Sequence, residues 1–328
     1  MNIVLTIDSN FAPQASALIA SICENNRNVD IISFYILTTG MKNNDGINIT
    51  NLVSSYKRNI DLIEIGDIFQ LLDHDFDTSA WNEIVMARLF IARFLPKEIH
   101  RVLYLDADTI VRGDLLDLWN TDLKGCILGA VREPTAPAYR RNELHLKKMK
   151  YYNAGVLLID LDKWRSCNTE KKLLDYCKAH CNLMANDQDA INAALESSIF
   201  ELAPAYNFYN SFYHYPYRAL NKMCAPVKYI NEPEFNRSVS NPIIIHFAGE
   251  ERPWRVGNTH HFRFDYEHYL ALTPYANVPF EKGWELYFKA YGLFTKMMVP
   301  FPMLRWKIIT LLIPSFLRYR ARKRKKLN

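Results

Sequence analysis

The sequence predicts an α/β domain built on a mostly parallel sheet, and three observations carry that prediction. Strand-like and helical segments alternate from the first residues, the apolar strands are too continuous to face water, and one of them stops abruptly at paired acids. Residues 3–7, 31–38 and 61–65 are short β-branched and aromatic runs, separated by helical spacing over residues 15–24 and 49–56. This βαβαβ order closes into a parallel sheet with right-handed crossovers. A helix over residues 83–94 carries Arg88. The run Arg101-Val102-Leu103-Tyr104-Leu105 then reads as a buried strand ending in Asp106-Ala107-Asp108, and further strands are expected over residues 127–131, 156–159 and 243–247. No repeat or low-complexity linker interrupts residues 1–270, which read as one domain, with residues 271–328 as a separate helical tail.

The composition of this 328-residue chain, 49% hydrophobic and 23% charged, excludes a disordered protein. Its net charge of +5 is unevenly spread. Arg318, Arg320, Arg322, Lys323, Arg324, Lys325 and Lys326 supply +7, so the chain ahead of Arg318 carries −2. Nucleic acid is therefore a poor partner, because no basic face accompanies the tail. Residues 308–317 are apolar but half as long as the roughly 20 residues of a spanning helix. Followed by the basic cluster, they are expected to lie in the headgroup region of an anionic membrane, where each Lys or Arg contributes about 1 kcal/mol. Docking of this segment on the domain is the alternative. The six cysteines include no zinc set, although Cys177 and Cys181 share a helical face, and all are expected to be reduced and buried. Met1 to Asp8 reads as a first strand rather than a signal peptide, which places the chain in the cytoplasm.

An Asp-x-Asp pair at the carboxyl end of a buried strand can present two oxygens to one hard divalent cation, and ligands bind at that end of open α/β sheets. Ordinary turn punctuation is the competing reading. The apolar residues on both sides favour a ligand role, because partly shielded carboxylates cost free energy without a compensating cation or donors. Residues 203–229 are crowded with aromatics, which either pack as an irregular lid or stack on sugar rings. Packing is favoured, since aromatics usually supply core area.

Taken with Thr6-Ile7-Asp8-Ser9-Asn10, Met86-Ala87-Arg88-Leu89, Tyr152-Asn153-Ala154-Gly155, Asn186-Asp187-Gln188-Asp189 and His246-Phe247-Ala248-Gly249 with Arg252-Pro253-Trp254, the acid pair resembles glycosyltransferase family 8, especially its bacterial lipopolysaccharide hexosyltransferases. The resemblance implies a Rossmann-like GT-A fold, and Asp106, Asp108 and His246 as ligands of Mn²⁺, with Mg²⁺ the alternative. A mixed carboxylate and imidazole set suits Mn²⁺ better than Ca²⁺. Thr6, Asp8 and Asn10 are implied contacts to the uridine of a UDP-sugar; Asp8 also reads as a cap for the helix entered at Pro13. Arg88, Asp106 and Ala107 are implied contacts to the sugar or diphosphate, Asn153 and Ala154 lie under the hexose, and Gly249 and Arg252 meet phosphate. Small residues at 154 and 155 would let the substrate approach the backbone closely.

Two departures from the family pattern stand out. Arg252 occupies a position where many relatives carry Lys, which retains charge in a planar fork. Glu133 replaces a shorter Asp, moving the carboxylate by roughly 1.5 Å, enough to alter acceptor choice. Gln188, with Asp187 or Asp189, is the group implied to stabilise positive charge at the anomeric carbon. Acids in a first helical turn also complement the helix dipole, which would explain Asp187 and Asp189 but not Gln188. The implied reaction is retaining transfer of galactose or glucose from UDP-hexose to a lipid-linked saccharide at the inner face of the plasma membrane. Deletion of residues 294–328 is expected to free the protein from vesicles while sparing UDP-sugar hydrolysis. A metal-dependent UDP-sugar hydrolase and a non-catalytic membrane-bound sugar-nucleotide binder are the other readings.

Overall fold

A computed structural model describes residues 1–72, 78, 82–180 and 183–324, the last two without their side chains. Cys181, Lys325 and Lys326 lie outside the described residues. Nine strands are seen among them: β1 (Asn2–Ile7), β2 (Ser33–Thr38), β3 (Asn59–Glu64), β4 (Arg101–Leu105), β5 (Thr109–Val111), β6 (Leu128–Arg132), β7 (Tyr152–Asp160), β8 (Ile199–Leu202) and β9 (Ile244–His246). Seven form one sheet in the order β3-β2-β1-β4-β7-β6-β8. The first four are parallel, β7 runs antiparallel to both neighbours, and β6 and β8 are parallel again. The predicted sheet is therefore mostly parallel but mixed.

Alternation along the strands splits the core between two faces. Ile3, Leu5, Ile7, Leu103 and Leu105 join the cluster that includes the helix Ala12–Asn25, while Val4, Val102 and Tyr104 face the opposite cluster. The helix Ala12–Asn25 is rich in Ala and Ser, buried along most of its length, and packs against the helix Arg263–Ala271. Most of the aromatics of the crowded segment are core: Phe208, Tyr209, Phe212 and Tyr215 are buried in the first cluster.

Several expectations need correction. Residues 83–94 are not one helix but a 3₁₀ helix, Glu83–Phe90, followed by a single α turn, Ile91–Phe94; the tighter winding accompanies an inward-facing Arg88. Asp8 caps the 3₁₀ turn Ser9–Phe11 through the Asn10 N–H, not the helix that follows, because that helix begins only at Ala12. Cys167 is exposed and Cys126 half-buried, although Cys23, Cys177 and Cys224 are interior as expected. Strands β5 and β8, too short to register as periodic runs, were not foreseen as pairing elements.

Two local features build the site. β5 leaves the Asp106-Ala107-Asp108 turn and pairs antiparallel with β9, setting Thr109 opposite His246. In the β6–β7 ladder Ala130 faces Leu157 but Val131 faces Asn153, so the intervening residues of β7 bulge out of register.

Beyond residue 270 the chain continues along the body. Tyr275 donates to Asp45, and Glu281 accepts from Trp254 and Arg255. Two helices follow, Glu285–Met298 and Pro302–Arg324, the second containing Pro314. Both are seated on the domain: Phe288 and Arg305 are buried, and the Trp306 indole donates to the Thr135 carbonyl at 2.9 Å. Their outer surface exposes Leu286, Leu293, Val299, Leu311, Leu312 and Tyr319. Among the described residues no helix is long and apolar enough to cross a membrane.

Candidate active site

At the carboxyl end of β4 the chain turns tightly, with the Thr109 N–H and hydroxyl both donating to the Asp106 carbonyl at 3.1 and 2.7 Å. The turn aims both carboxylates toward β9. One donor atom each from Asp106, Asp108 and His246 lies within 4.8 Å of the others. His246 Nε2 is 3.3 Å from Asp108 Oδ1 and 3.9 Å from Asp106 Oδ2. Its Nδ1 is 2.9 Å from Asn207 Oδ1, so that bond turns Nε2 toward the acids.

Gly155 makes the convergence possible. A Cβ at this position would lie 2.3 Å from His246 Cε1 and 3.0 Å from Asp106 Oδ2. The glycine therefore makes room for the imidazole, whereas its smallness had suggested room for a substrate. Two carboxylate oxygens and an oriented imidazole nitrogen on one point fit a divalent ion of the Mn²⁺ or Mg²⁺ kind. Burial would lower the His246 pKa, but the Asp108 and Asp106 carboxylates together more than offset it and hold the imidazole above its usual value. Burial likewise opposes ionisation of Asp108, and His246, with help from Arg252, keeps it below the usual carboxylate range.

Behind the cradle a second set of contacts fixes Asp106. Tyr104, two residues earlier and hence on the same strand face, donates to Asp106 Oδ1 at 2.7 Å and shares a 2.9 Å bond with the Thr6 hydroxyl. Thr6 thus faces inward, onto Tyr104. Arg88 is also an interior group, 5% exposed. Its guanidinium pairs with Asp106 at 2.9 Å and Asp187 at 2.8 Å, donates to the Ala154 carbonyl at 2.6 Å, and lies 4.6 Å from the Tyr104 ring centroid. These contacts make Arg88 a clamp that joins β4, β7 and the helix Asn186–Ala194. Asp8 and Asn10 sit at the open end of β1, with Asp8 accepting from Asn10 and Asn82.

The bulge of β7 and the start of the helix Asn186–Ala194 form an amide-rich wall beside the cradle. Gln188 Oε1 accepts from the Ala154 N–H at 3.0 Å, while Nε2 donates to Glu133 at 3.2 Å and to the Tyr151 hydroxyl at 3.0 Å. Asn153 Nδ2 donates to the same Glu133 oxygen at 3.3 Å. Burial pushes the Glu133 carboxyl above its usual pKa, against these two donors. The neighbouring acids differ from Gln188. Asp189 has no exposed surface; it is paired with Arg140 and accepts from Tyr151 at 2.7 Å, so it does not face the cleft as expected. Asp187 is committed to Arg88, and burial, opposed by that pairing, lifts its pKa to about 7.

The third edge is the loop after β9. Gly249 has φ of +82°, a conformation glycine adopts freely, with nothing within 4 Å of where a Cβ would stand. Arg252 donates to the Gly249 carbonyl at 3.1 Å, reaches Asp108 at 3.6 Å, and has its guanidinium 5.6 Å from the Phe11 and 5.5 Å from the Trp254 ring centroid. Both acids between these residues are held by the tail. Glu251 accepts from the Tyr291 hydroxyl at 3.0 Å, and Glu250 pairs with Arg320 at 3.3 Å as well as with Arg255. Trp306 meanwhile holds Thr135, two residues from Glu133. Loss of residues 294–328 would remove contacts to both loops, so the expected indifference of donor chemistry to that deletion does not fit the packing.

The structure thus brings Asp106, Asp108, His246, Gly249 and Arg252 together beside Asn153, Ala154, Gln188 and Glu133, and turns Thr6, Arg88, Asp187 and Asp189 into the support behind them, while Ala107 is buried in the hydrophobic core. Tyr104, Gly155 and Asn207 were not recognised for their roles. Period-two alternation could have paired Tyr104 with Asp106; only its oddness as an amide among aromatics marked Asn207.

Residues 2–257 match the model described as glycosyl transferase family 8, and the chain belongs to that family. General stress protein A of Bacillus subtilis (strain 168) is 26% identical over 283 residues, 85% of this chain and 96% of that protein. The lipopolysaccharide 1,2-glucosyltransferase of Escherichia coli (strain K12) is 26% identical over 263 residues, 77% of this chain and 72% of that one. Among solved structures, the galactosyltransferase LgtC with donor and acceptor sugar analogs superposes with a TM-score of 0.69 at 23% identity, covering 84% of this chain and 96% of its own. The fold is accordingly a mostly parallel, mixed α/β fold of the GT-A kind.

Proposed function

We propose that this chain is a retaining hexosyltransferase that depends on a divalent cation and moves galactose or glucose from a UDP-hexose to a lipid-linked saccharide, such as a lipopolysaccharide core, with an α-glycosidic bond. The observation that carries the reading is the placement of the Asp106, Asp108 and His246 cradle beside the Glu133, Gln188 and Asn153 wall. Family membership supports glycosyl transfer, and the activities of the two named transferases, a glucosyltransferase and a galactosyltransferase, support a hexose donor.

A cation held by Asp106, Asp108 and His246 would neutralise the departing diphosphate as a Lewis acid. The remaining chemistry belongs to side chains. Arg252 and the Gly249 N–H would meet phosphate oxygens, and Arg88 keeps Asp106 aimed. Gln188 Oε1 takes one hydrogen bond, from Ala154 N–H, and keeps a second lone pair for the positive charge that grows on the anomeric carbon. An amide is a poor nucleophile, which favours departure and attack on the same face over a covalent intermediate. Glu133 holds the Gln188 and Asn153 amides.

The tail supports a position on the inner face of the plasma membrane: its helices offer exposed apolar residues followed by a basic cluster, the combination that favours an anionic lipid surface. Release of UDP from UDP-galactose and UDP-glucose with Mn²⁺, with and without a lipooligosaccharide acceptor, tests the proposal. Acceptor-stimulated release is expected. Release that ignores the acceptor would mean a UDP-sugar hydrolase, and none with either donor would mean a binder.

A further inference from the structure

We infer that Asn207 is a positioning residue that links the cation cradle to the hexose wall, fixing the tautomer of His246 and the orientation of Asn153 through one buried carboxamide. The inference rests on the proposed cation site and deepens it. Asn207 has no exposed surface. Its Oδ1 is 2.9 Å from His246 Nδ1, and its Nδ2 donates to Asn153 Oδ1 at 2.8 Å.

The direction of every bond in this chain follows from two backbone groups that cannot be flipped. An amide oxygen only accepts and an amide nitrogen only donates. Asn153 Oδ1 accepts from the Gly155 N–H at 2.9 Å, so the oxygen, not the nitrogen, must face that way. Asn207 must then turn its NH₂ to Asn153 and its oxygen to His246. His246 in turn must carry a proton on Nδ1, which makes Nε2 the ring nitrogen that faces Asp108 and Asp106. On the other side Asn153 Nδ2 is driven onto Glu133, and Gln188, fixed by the Ala154 N–H, donates to that same carboxylate oxygen. Successive N–H groups of the β7 bulge, at 154 and 155, therefore set the polarity of the hexose wall and, through Asn207, of the cation ligand. Buried polar groups of this kind are costly to leave unpaired, so the network has one satisfied arrangement.

Two substitutions separate the two ends of the link. Asn207→Ala removes both, and binding of Mn²⁺ alone to the protein should weaken about 10–100-fold, the usual effect of losing a partner behind a ligating histidine. Asn207→Asp keeps an acceptor for His246 Nδ1–H but sets a carboxylate oxygen against Asn153 Oδ1. It should leave the Mn²⁺ dissociation constant within about threefold of the unaltered protein, while UDP-hexose turnover falls and UDP binding does not. Mn²⁺ binding by N207A equal to the unaltered protein, or equal losses of metal and hexose functions in N207D and N207A, would overturn the inference. Imidazole ¹⁵N shifts of the unaltered, metal-free protein, selectively labelled at histidine, need no variant: His246 should be protonated at Nδ1 at pH 8, and an Nε2–H tautomer would overturn it equally. If no UDP-hexose is turned over at all, the transferase reading fails while the Mn²⁺ and NMR measurements still decide the role of Asn207.

Discussion

The cleft and the C-terminal helices hold their polar groups in opposite ways. Around the cation cradle single side chains serve several buried partners: Arg88 serves Asp106, Asp187 and the Ala154 carbonyl, and Gln188 serves Ala154, Glu133 and Tyr151. Lys307, Arg318 and Arg322 stand exposed on the outer helix beside Leu311 and Leu312. A low-dielectric network amplifies the loss of one member, whereas exposed charges are screened and additive. Changes in the cleft should accordingly be large and specific, and changes in the tail small, graded and sensitive to salt.

The largest effect is expected from Gly155→Ala. The added methyl collides with His246 and Asp106, so Mn²⁺ binding should disappear and turnover fall by about 10³-fold or more. Crowding should cost the fold only about 1–3 kcal/mol, readable as a lower melting temperature. A G155A protein that binds Mn²⁺ normally would break the claim that this glycine makes the cradle. Next is Gln188→Ala, for which kcat should drop by about 10²-fold with the UDP-hexose KM little changed. Equal losses in both would remove Gln188 from the anomeric centre.

Glu133 gives a smaller effect with a pH signature. Burial holds its carboxyl above the usual 4.5, so the ionised form that receives both amides is lost as pH falls through that raised value. The acid limb of kcat should lie above pH 4.5 and vanish in Glu133→Gln, at a cost of about tenfold at neutral pH. Persistence of the limb in E133Q would assign it elsewhere. The smallest single effects belong to the tail. Lys307→Gln and Arg318→Gln should each weaken sedimentation with anionic vesicles by roughly fivefold, about 1 kcal/mol per charge, and added salt should erase the difference. Deletion of residues 294–328 should go further and raise the UDP-hexose KM as well, since Arg320 and Trp306 brace active-site loops. An unchanged KM after that deletion would return the tail to a pure anchor.

How much of this was legible in the sequence follows the same division. Strand periodicity placed β1, β2, β3, β4 and β7 within a few residues, and Asp106, Asp108 and His246 were each visible at strand ends. Antiparallel insertion of β7 was not visible, because a strand buried on both faces reads the same whichever way it runs. The pairing of β5 with β9 rests on only three residues apiece and carries no period of its own. Side-chain direction was the other blind spot. Arg88 and Asp189 are charged residues in a helical stretch, and only their partners, Asp106 with Asp187 and Arg140, decide that they turn inward. Gly155 was noticed for its size, yet what it admits is a histidine more than ninety residues away in the chain.

UDP release from UDP-hexose by protein stripped with EDTA, measured before and after Mn²⁺ is restored, tests the central claim most directly. Release should fall by about 10²-fold or more without the cation and recover with it, as expected when a Lewis acid neutralises the leaving group. Undiminished release from the stripped protein would contradict the assignment of Asp106, Asp108 and His246 as the cation site on which the reaction depends.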